Sequence, residues 1–368
     1  MKRTLIITLE YPPQIGGIAT YISGYSKHLG ENVFVWAPKN KEAKEEQNVF
    51  RGEPYFLLFW PKWFKLFFQI RKIVKREKIE IIHVHHVLPV GHIAQLIKKL
   101  FKIPYLVFLH GTDVQVAVRT KRKKKLYLKI LKKAEKVIVN SEYLKSQVIK
   151  DAQNLENKIV IVNPCPSDKF LQMPNADLEK LRTELALDGK KVVLTVSRIA
   201  EGKGHSLFLQ GLPEIIKEVP NVIWLVAGSG EKSEVFWQIV REKNLQNFVR
   251  FLGNVPNGEL QKYYNLADIF LLLTHKDKER DLQEGFGLVF LEAGATGLPS
   301  IAGISGGVEE AVINNQTGFV VDAYDDISVK SAVVKLLQDE TLAKTFGENA
   351  KNRVEQEFTW EKQLKKIL

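Results

Sequence analysis

The chain has 368 residues, more than one hydrophobic core comfortably supports, so two domains of ordinary size are expected. Hydrophobic residues make up 45% and charged residues 26%, the balance of a folded chain, and no uncharged apolar run of eighteen or more residues is present, which argues against transmembrane anchoring. The net charge of +12 is uneven: residues 1–165 hold 30 Lys and Arg against 13 Asp and Glu (+17), and residues 166–368 hold 24 against 29 (−5), so the first half suits an anionic surface such as nucleic acid or acidic lipid.

The chain opens on Met-Lys-Arg and runs at once into the apolar stretch Thr4–Leu9, too short for a signal-peptide core and read here as the first strand. Further strands are expected at Asn32–Ala37, Tyr55–Phe59, Ile79–His85, Tyr105–Leu109, Lys136–Asn140 and Lys158–Val162, each followed by a turn or a helical pattern. Asn163–Ala176, with three prolines and no periodicity, reads as a linker. It contains the single cysteine, Cys165, which cannot form an intrachain disulfide, fits a reducing cytoplasm and excludes a cysteine-rich zinc site.

A second series of strands follows at Lys191–Val196, Val222–Ala227, Val249–Leu252, Ile269–Thr274, Pro299–Ala302 and Gly318–Val321, with helices near 205–218, 231–243, 286–296 and 326–338. Strands alternating with helices indicate parallel sheets with crossover helices. The simplest architecture is two doubly wound α/β domains facing each other across a cleft, with ligands beyond the C-terminal ends of the strands.

At one such end stands Ser197-Arg198-Ile199-Ala200-Glu201-Gly202-Lys203-Gly204, where a guanidinium, an ammonium and the free N–H groups of the next helix suit a diphosphate. A solvated Arg and Lys on a surface loop would read the same way. Ala227-Gly228-Ser229-Gly230-Glu231 lacks the full dinucleotide fingerprint and could serve only close packing of strand and helix. In Glu284-Gly285-Phe286-Gly287-Leu288-Val289-Phe290-Leu291-Glu292, Glu284 precedes a helix and could accept from sugar hydroxyls, and Glu292, about two turns on, could take both hydroxyls of a ribose. Otherwise Glu284 is a helix-start acid and Glu292 is exposed.

In the first half, Tyr11-Pro12-Pro13-Gln14-Ile15-Gly16-Gly17 joins a strand to a helix, and its paired glycines permit close backbone approach to a phosphate or sugar, or simply form a turn. His110-Gly111-Thr112-Asp113 could aim an imidazole and a carboxylate into the cleft. His83, His85 and His86 end a strand without a metal-binding pattern and read as structural or acceptor-side residues.

Taken together, Gly16-Gly17, His110 to Asp113, Arg198 with Lys203, Glu284 and Glu292 within EGFGLVFLEA, and Ser305-Gly306-Gly307-Val308-Glu309-Glu310 make the sequence similar, over essentially its whole length, to retaining GT-B glycosyltransferases with an E-x7-E motif, glycosyltransferase family 4 or "glycosyl transferases group 1". The resemblance implies a GT-B fold of two Rossmann-like domains, at residues 1–165 for the acceptor and 166–357 for the nucleotide sugar, with a helix at 358–368 crossing back to the first. It implies that Arg198 and Lys203 hold the donor diphosphate, Glu284 the transferred hexose and Glu292 the ribose. Backbone N–H groups of Phe286, Gly287 and Leu288 would touch sugar or phosphate, and Asn254-Val255 would lie by the nucleobase. Gly16 and Gly17 would approach the donor, His110 would lie beside the anomeric centre, and Asp113 would support the loop or acceptor. The reaction implied is retaining transfer of a hexosyl group from a nucleoside-diphosphate sugar to a hydroxyl, with neither cofactor nor metal. GDP-mannose is preferred over UDP-hexose or UDP-GlcNAc because these segments resemble mannosyltransferases of lipid glycosylation.

Phe56–Lys78 is rich in aromatics and cations, and Trp63, Phe67, Ile70 and Val74 form one stripe that could dock at a bilayer interface or bury on its own sheet. Lys121-Arg122-Lys123-Lys124-Lys125, near the start of an apparent helix Leu126–Ala134, opposes the helix dipole, which points to an anionic partner, lipid headgroups first, with a generic solvated basic patch as the alternative. The expectation is a cytoplasmic protein attached peripherally to the inner face of the membrane, with a lipid-linked or glycan acceptor and no nucleic acid. A nucleic-acid-binding protein would leave the E-x7-E segment unexplained and lacks aromatic-interleaved signatures. A non-catalytic donor-binding scaffold is at odds with intact motifs, and a dehydrogenase with the missing glycine fingerprint.

Overall fold

The computed structural model describes residues 2–56, 61–170, 173–276 and 283–367. The chain divides into two compact units, Met1–Pro164 with Trp360–Leu368, and Cys165–Thr359.

The first unit runs β1 (Thr4–Ile7), α1 (Gly17–His28), β2 (Val33–Pro38), β3 (Val49–Gly52), α2 (Phe64–Arg76), β4 (Ile81–His85) and α3 (Val87–Phe101). It continues with β5 (Tyr105–Leu109), α4 (Thr112–Val118), α5 (Lys121–Lys133), β6 (Val137–Val139), α6 (Glu142–Asp151), a 3-10 turn and β7 (Ile159–Ile161). Among the described residues these strands form a parallel sheet in the order β3-β2-β1-β4-β5-β6-β7. One face is covered by α2, α3 and α5, with Leu5 and Ile7 of β1, Ile82 and Val84 of β4 and Val107 of β5 in a single core. Alternation sends His83, His85 and Phe108 to the other face, where Tyr25 of α1 meets them.

The second unit contains α7 (Asn175–Glu184), β8 (Lys191–Val196), α8 (His205–Glu218), β9 (Val222–Ala227), α9 (Ser233–Glu242), β10 (Val249–Gly253) and α10 (Asn257–Leu266). Then come β11 (Ile269–Leu272), α11 (Leu288–Ala295), β12 (Ser300–Gly303), α12 (Val308–Ala311), β13 (Gly318–Val321), α13 (Asp326–Gln338) and α14 (Glu340–Glu357). The parallel order is β10-β9-β8-β11-β12-β13. Both faces are buried, which is why these strands read as continuous apolar runs: Val192, Leu194, Ile223 and Leu225 enter one core, and Val193, Val222, Trp224 and Val226 the other.

A last helix, α15 (Trp360–Leu364), belongs to the first unit. The Trp360 ring packs against Tyr21, Tyr25 and His28 of α1, so close to Gly24 that a Cβ there would stand 3.0 Å from it. Gln363 accepts the Asn163 N–H at 2.9 Å. Phe358, expected in this helix, instead stacks edge-on against Phe286 of the second unit.

Several expectations are corrected. The third strand is Val49–Gly52, with Tyr55 and Phe56 outside it, while residues 57–59 of the expected strand Tyr55–Phe59 lie outside the described residues. The helix expected from Leu126 begins at Lys121, because Thr120 caps it by accepting the Lys123 N–H. Asn175, placed in the linker, starts α7, and the helix expected from Phe286 starts at Leu288. Phe67, Ile70 and Val74 of the aromatic stripe are buried on the sheet, so the stripe itself is core, whereas Phe68 beside it is 50% exposed. Among the described residues no helix is long and apolar enough to cross a membrane.

Candidate active site

In both sheets the strand order reverses beside the first strand of the unit, between β1 and β4 and between β8 and β11. The loops leaving two such strands part in opposite directions and open a crevice at their C-terminal ends. Gly16 and Gly17 follow β1, Arg198 and Lys203 follow β8, and Glu284 lies between β11 and α11, whereas His110 follows β5, Asn254 follows β10 and Glu292 lies within α11.

In the second unit the loop after β8 is pinned by glycine. Gly204, at φ +75, would place a Cβ 2.2 Å from the Leu273 carbonyl, and a Cβ on Gly228 would meet the Ser197 carbonyl at 1.9 Å. The Gly228-Ser229-Gly230 turn therefore serves close packing here. His205, the first residue of α8, is buried with Nε2 3.4 Å from the Ser197 hydroxyl, and burial, with Lys203 nearby, pushes it down to about 3. On this scaffold Arg198 is exposed; its carbonyl accepts the Ser197 hydroxyl at 3.2 Å, while its guanidinium has no hydrogen-bond or ion-pair partner among the described residues. Lys203 donates from Nζ to Oε2 of Glu284 at 2.6 Å across 81 residues of sequence. The Lys203 ammonium, with N–H groups of Gly285 and Phe286, holds the Glu284 carboxyl below its usual range although burial opposes them.

The backbone of Glu284 is clamped as well. Its N–H donates to the Ser305 hydroxyl at 3.3 Å, its carbonyl accepts the Gly307 N–H at 3.1 Å, and Gly306, at φ +59, presses so close that a Cβ would stand 1.9 Å from that carbonyl. The glycine pair after β12 is thus part of the Glu284 mount, a role its residue types alone did not reveal. Glu292 is buried, not exposed, and accepts the Tyr264 hydroxyl at 2.9 Å; burial raises it to about 7 against that hydrogen bond. Tyr264, on α10, is a site residue the sequence offered no signal for.

The remaining expected residues divide. Gly287 takes a left-handed conformation before Leu288 and so turns the chain into α11. The Phe286 N–H is engaged by the Glu284 carboxylate and its ring is core. Asn254 is exposed and accepts the Ser229 hydroxyl at 2.6 Å, but the Val255 side chain is core, so only its backbone could face a ligand.

In the first unit a Cβ on Gly17 would meet nothing within 4 Å, and one on Gly16 only Glu10 at 3.9 Å, so the open space before this helix start is not required by packing. His110 follows β5; its N–H donates to Asp113 Oδ1 at 2.9 Å, and its Nε2 stands 3.0 Å from Nδ1 of His85. Asp113 also accepts the Val87 N–H at 3.5 Å, so it ties the loops after β4 and β5 together; burial raises its carboxyl, opposed by His86 and backbone N–H groups. His86, at a left-handed φ of 74°, is held by Glu10 at 3.1 Å. Burial pushes His110 down to about 3, with His86 adding to the effect and Glu10 opposing it.

Residues 177–353 match the family "Glycosyl transferases group 1" and residues 15–166 match "Glycosyltransferase Family 4". The GDP-mannose-dependent alpha-(1-6)-phosphatidylinositol monomannoside mannosyltransferase of Mycobacterium tuberculosis is 27% identical over 98% of this chain and 96% of its own length. The N-acetyl-alpha-D-glucosaminyl L-malate synthase of Bacillus anthracis is 27% identical over 86% and 79%. Among solved structures, Anabaena HepE in complex with UDP and glucose superposes with a TM-score of 0.82 at 17% identity over 100% and 98%, and the sucrose-phosphate synthase of Thermosynechococcus elongatus with 0.80 at 23% over 99% and 97%. The chain has the GT-B fold and belongs to the family 4, group 1 glycosyltransferases.

Proposed function

We propose that this glycosyltransferase moves a mannosyl or related hexosyl group, with retention, from a nucleoside-diphosphate sugar to a hydroxyl of a lipid-linked or membrane-proximal glycan. The observation that carries the reading is the meeting of Lys203 with Glu284 at the switch point of the second sheet, on the loop that also carries the exposed Arg198 guanidinium. Arg198 can fork the diphosphate, and Lys203 can turn from Glu284 to a phosphate oxygen, freeing the carboxylate for hexose hydroxyls. Glu292, oriented by Tyr264, then takes the ribose, and the Asn254 loop the base. As the C1–O bond to the β-phosphate breaks, charge grows on the leaving diphosphate; each strong donor there is worth about 3 kcal/mol of barrier. That charge is met by side chains and helix-start amides rather than by a divalent metal, so chelator should leave the rate unchanged. In front-face attack the acceptor hydroxyl oxygen bonds C1 and its proton passes to the departing phosphate oxygen. Glu284 is then a sugar-binding group and not a nucleophile. Gly16 and Gly17 would approach the donor closely, and His110 and Asp113 would serve the transferred hexose and acceptor.

GDP-mannose is the preferred donor, supported by the relatives named as GDP-mannose-dependent mannosyltransferases acting on phosphatidylinositol mannosides. A membrane-proximal acceptor is supported by exposed cations on α5 and by Phe68 with Arg71, Lys72 and Lys75 on α2, two helices that both pack on α3. Attachment to the cytoplasmic face of the membrane follows from that reading. The test is a thermal-shift and donor-hydrolysis screen against GDP- and UDP-sugars, with Lys203→Ala and Glu292→Ala as controls. A selective response lost in both variants supports the proposal. No response to any nucleotide, with salt-sensitive binding to RNA or DNA instead, overturns it.

A further inference from the structure

What His110 can do depends on which ring nitrogen carries its proton, and the surroundings of His85 decide that. His85 is fully buried on β4, its ring stacked on Phe108 at 4.4 Å between centroids and 15° between planes. Its Nδ1 is 3.0 Å from Nε2 of His110, and its own Nε2 is buried with no hydrogen-bond partner. The other rings facing it are Tyr21 and Tyr25 of α1, and the Tyr25 hydroxyl is engaged with Nδ1 of His83 at 2.8 Å. Burial, helped by His110, His83 and His86, holds His85 well below its ordinary range, so the pair is neutral and one proton lies between the two rings.

Two arrangements are open to a neutral pair. If His110 donated from Nε2, His85 would carry its proton on Nε2 and strand a buried N–H. If His85 donates from Nδ1, what is stranded is a lone pair. Orphaned buried N–H groups are the rarer and costlier of the two, so the second arrangement wins. The proton of His110 is then on Nδ1, an atom with no partner among the described residues.

We propose that His85 is a positioning residue: it donates Nδ1–H to Nε2 of His110 and so commits His110 to donate a hydrogen bond through Nδ1–H instead of accepting a proton. The consequence for transfer rests on the glycosyltransferase mechanism proposed above. There His110 would donate to an oxygen of the hexose and could not act as base, leaving the departing phosphate oxygen to collect the acceptor's proton. The protonation pattern itself needs no donor to be present.

The experiment is nitrogen-15 NMR of the histidine rings in the full-length chain without nucleotide, with His110→Gln identifying the His110 signals. The expected result is protonated Nδ1 and unprotonated Nε2 in both His85 and His110. His85→Asn, whose amide nitrogen falls near the former Nδ1, should keep the His110 tautomer and keep kcat within about twofold. His85→Leu should give a mixed His110 tautomer and a kcat lowered roughly tenfold. A wild-type His110 protonated on Nε2 overturns the proposal, as does equal loss in both variants with the His110 tautomer unchanged. If His85→Leu does not fold, the wild-type spectrum and His85→Asn decide. A wild type that turns over no nucleotide sugar would remove the transferase mechanism while leaving the tautomer result standing.

Discussion

Gly306→Ala is the sharpest test of how Glu284 is held. The new Cβ would sit 1.9 Å from the Glu284 carbonyl oxygen, whereas ordinary contact begins at 3.4 Å, so one of the two backbones must retreat by about 1.5 Å. The left-handed φ of +59 adds a cost of about 1 to 2 kcal/mol for a side chain of L configuration. The Gly307 N–H bond to the same carbonyl, 3.1 Å long, cannot survive that retreat unchanged. A positioning error on the order of 1 Å costs about a hundredfold in rate. We therefore expect transfer to fall about a hundredfold while stability falls by only about 2 to 3 kcal/mol, so the variant still folds. The assay is steady-state transfer with the donor that gives the thermal-shift response, beside thermal melts. Gly211→Ala is the control, because its Cβ would meet nothing within 4 Å and it lies within α8; activity should be unchanged and the melting temperature equal or slightly higher. If Gly306→Ala retains activity within about twofold, the clamp is not what positions Glu284.

Glu292 makes stability depend on pH. Its folded-state value of about 7 lies above the ordinary 4.5 of a glutamate, so the folded chain binds the extra proton and stability falls as pH rises between those values, by up to about 3 kcal/mol. Glu292→Gln should thus raise the melting temperature by a few degrees at pH 8 and by almost nothing at pH 5; an equal change at both would refute the assignment. Tyr264→Phe removes the hydroxyl that orients this carboxylate at 2.9 Å, and should raise the donor KM about fivefold with kcat nearly unchanged. An unchanged KM would show that Glu292 does not depend on Tyr264. Neutralising Lys121, Arg122 and Lys125 of α5, while leaving Lys124 in its ion pair with Asp151, should weaken binding to anionic vesicles about a hundredfold at low salt and leave donor hydrolysis intact. Undiminished vesicle binding would move the membrane contact elsewhere.

Strands buried on both faces were the most legible part of the chain: Tyr105–Leu109, Lys191–Val196 and Val222–Ala227 have the expected bounds because apolar side chains fill both of their faces. Edge and start-of-helix positions were harder. Val49–Gly52 is only partly buried and carries Arg51, so its pattern is weak beside the aromatic run that follows. Lys121–Lys125 looked unsuited to a helix start by charge, yet Thr120 supplies the cap that decides where α5 begins. In the site, glycines and charged residues were visible as types, but Tyr264 was not, since a tyrosine in an amphipathic helix reads as core and is indeed 1% exposed.

The pairings invisible in sequence share one cause. Lys203 reaches Glu284 because β8 and β11 are neighbours although β9, β10 and three helices intervene in the chain, and Glu10 reaches His86 because β1 and β4 are neighbours in the same way. In a parallel sheet every strand delivers its following loop to the same edge, so strand order, not sequence distance, decides which loops meet. Strand order in turn is set by which apolar faces must be covered, a property of the whole unit. The cations and carboxylates could therefore be recognised one at a time from their local spacing, but their partnership became readable only once the sheet's reversal beside its first strand was known.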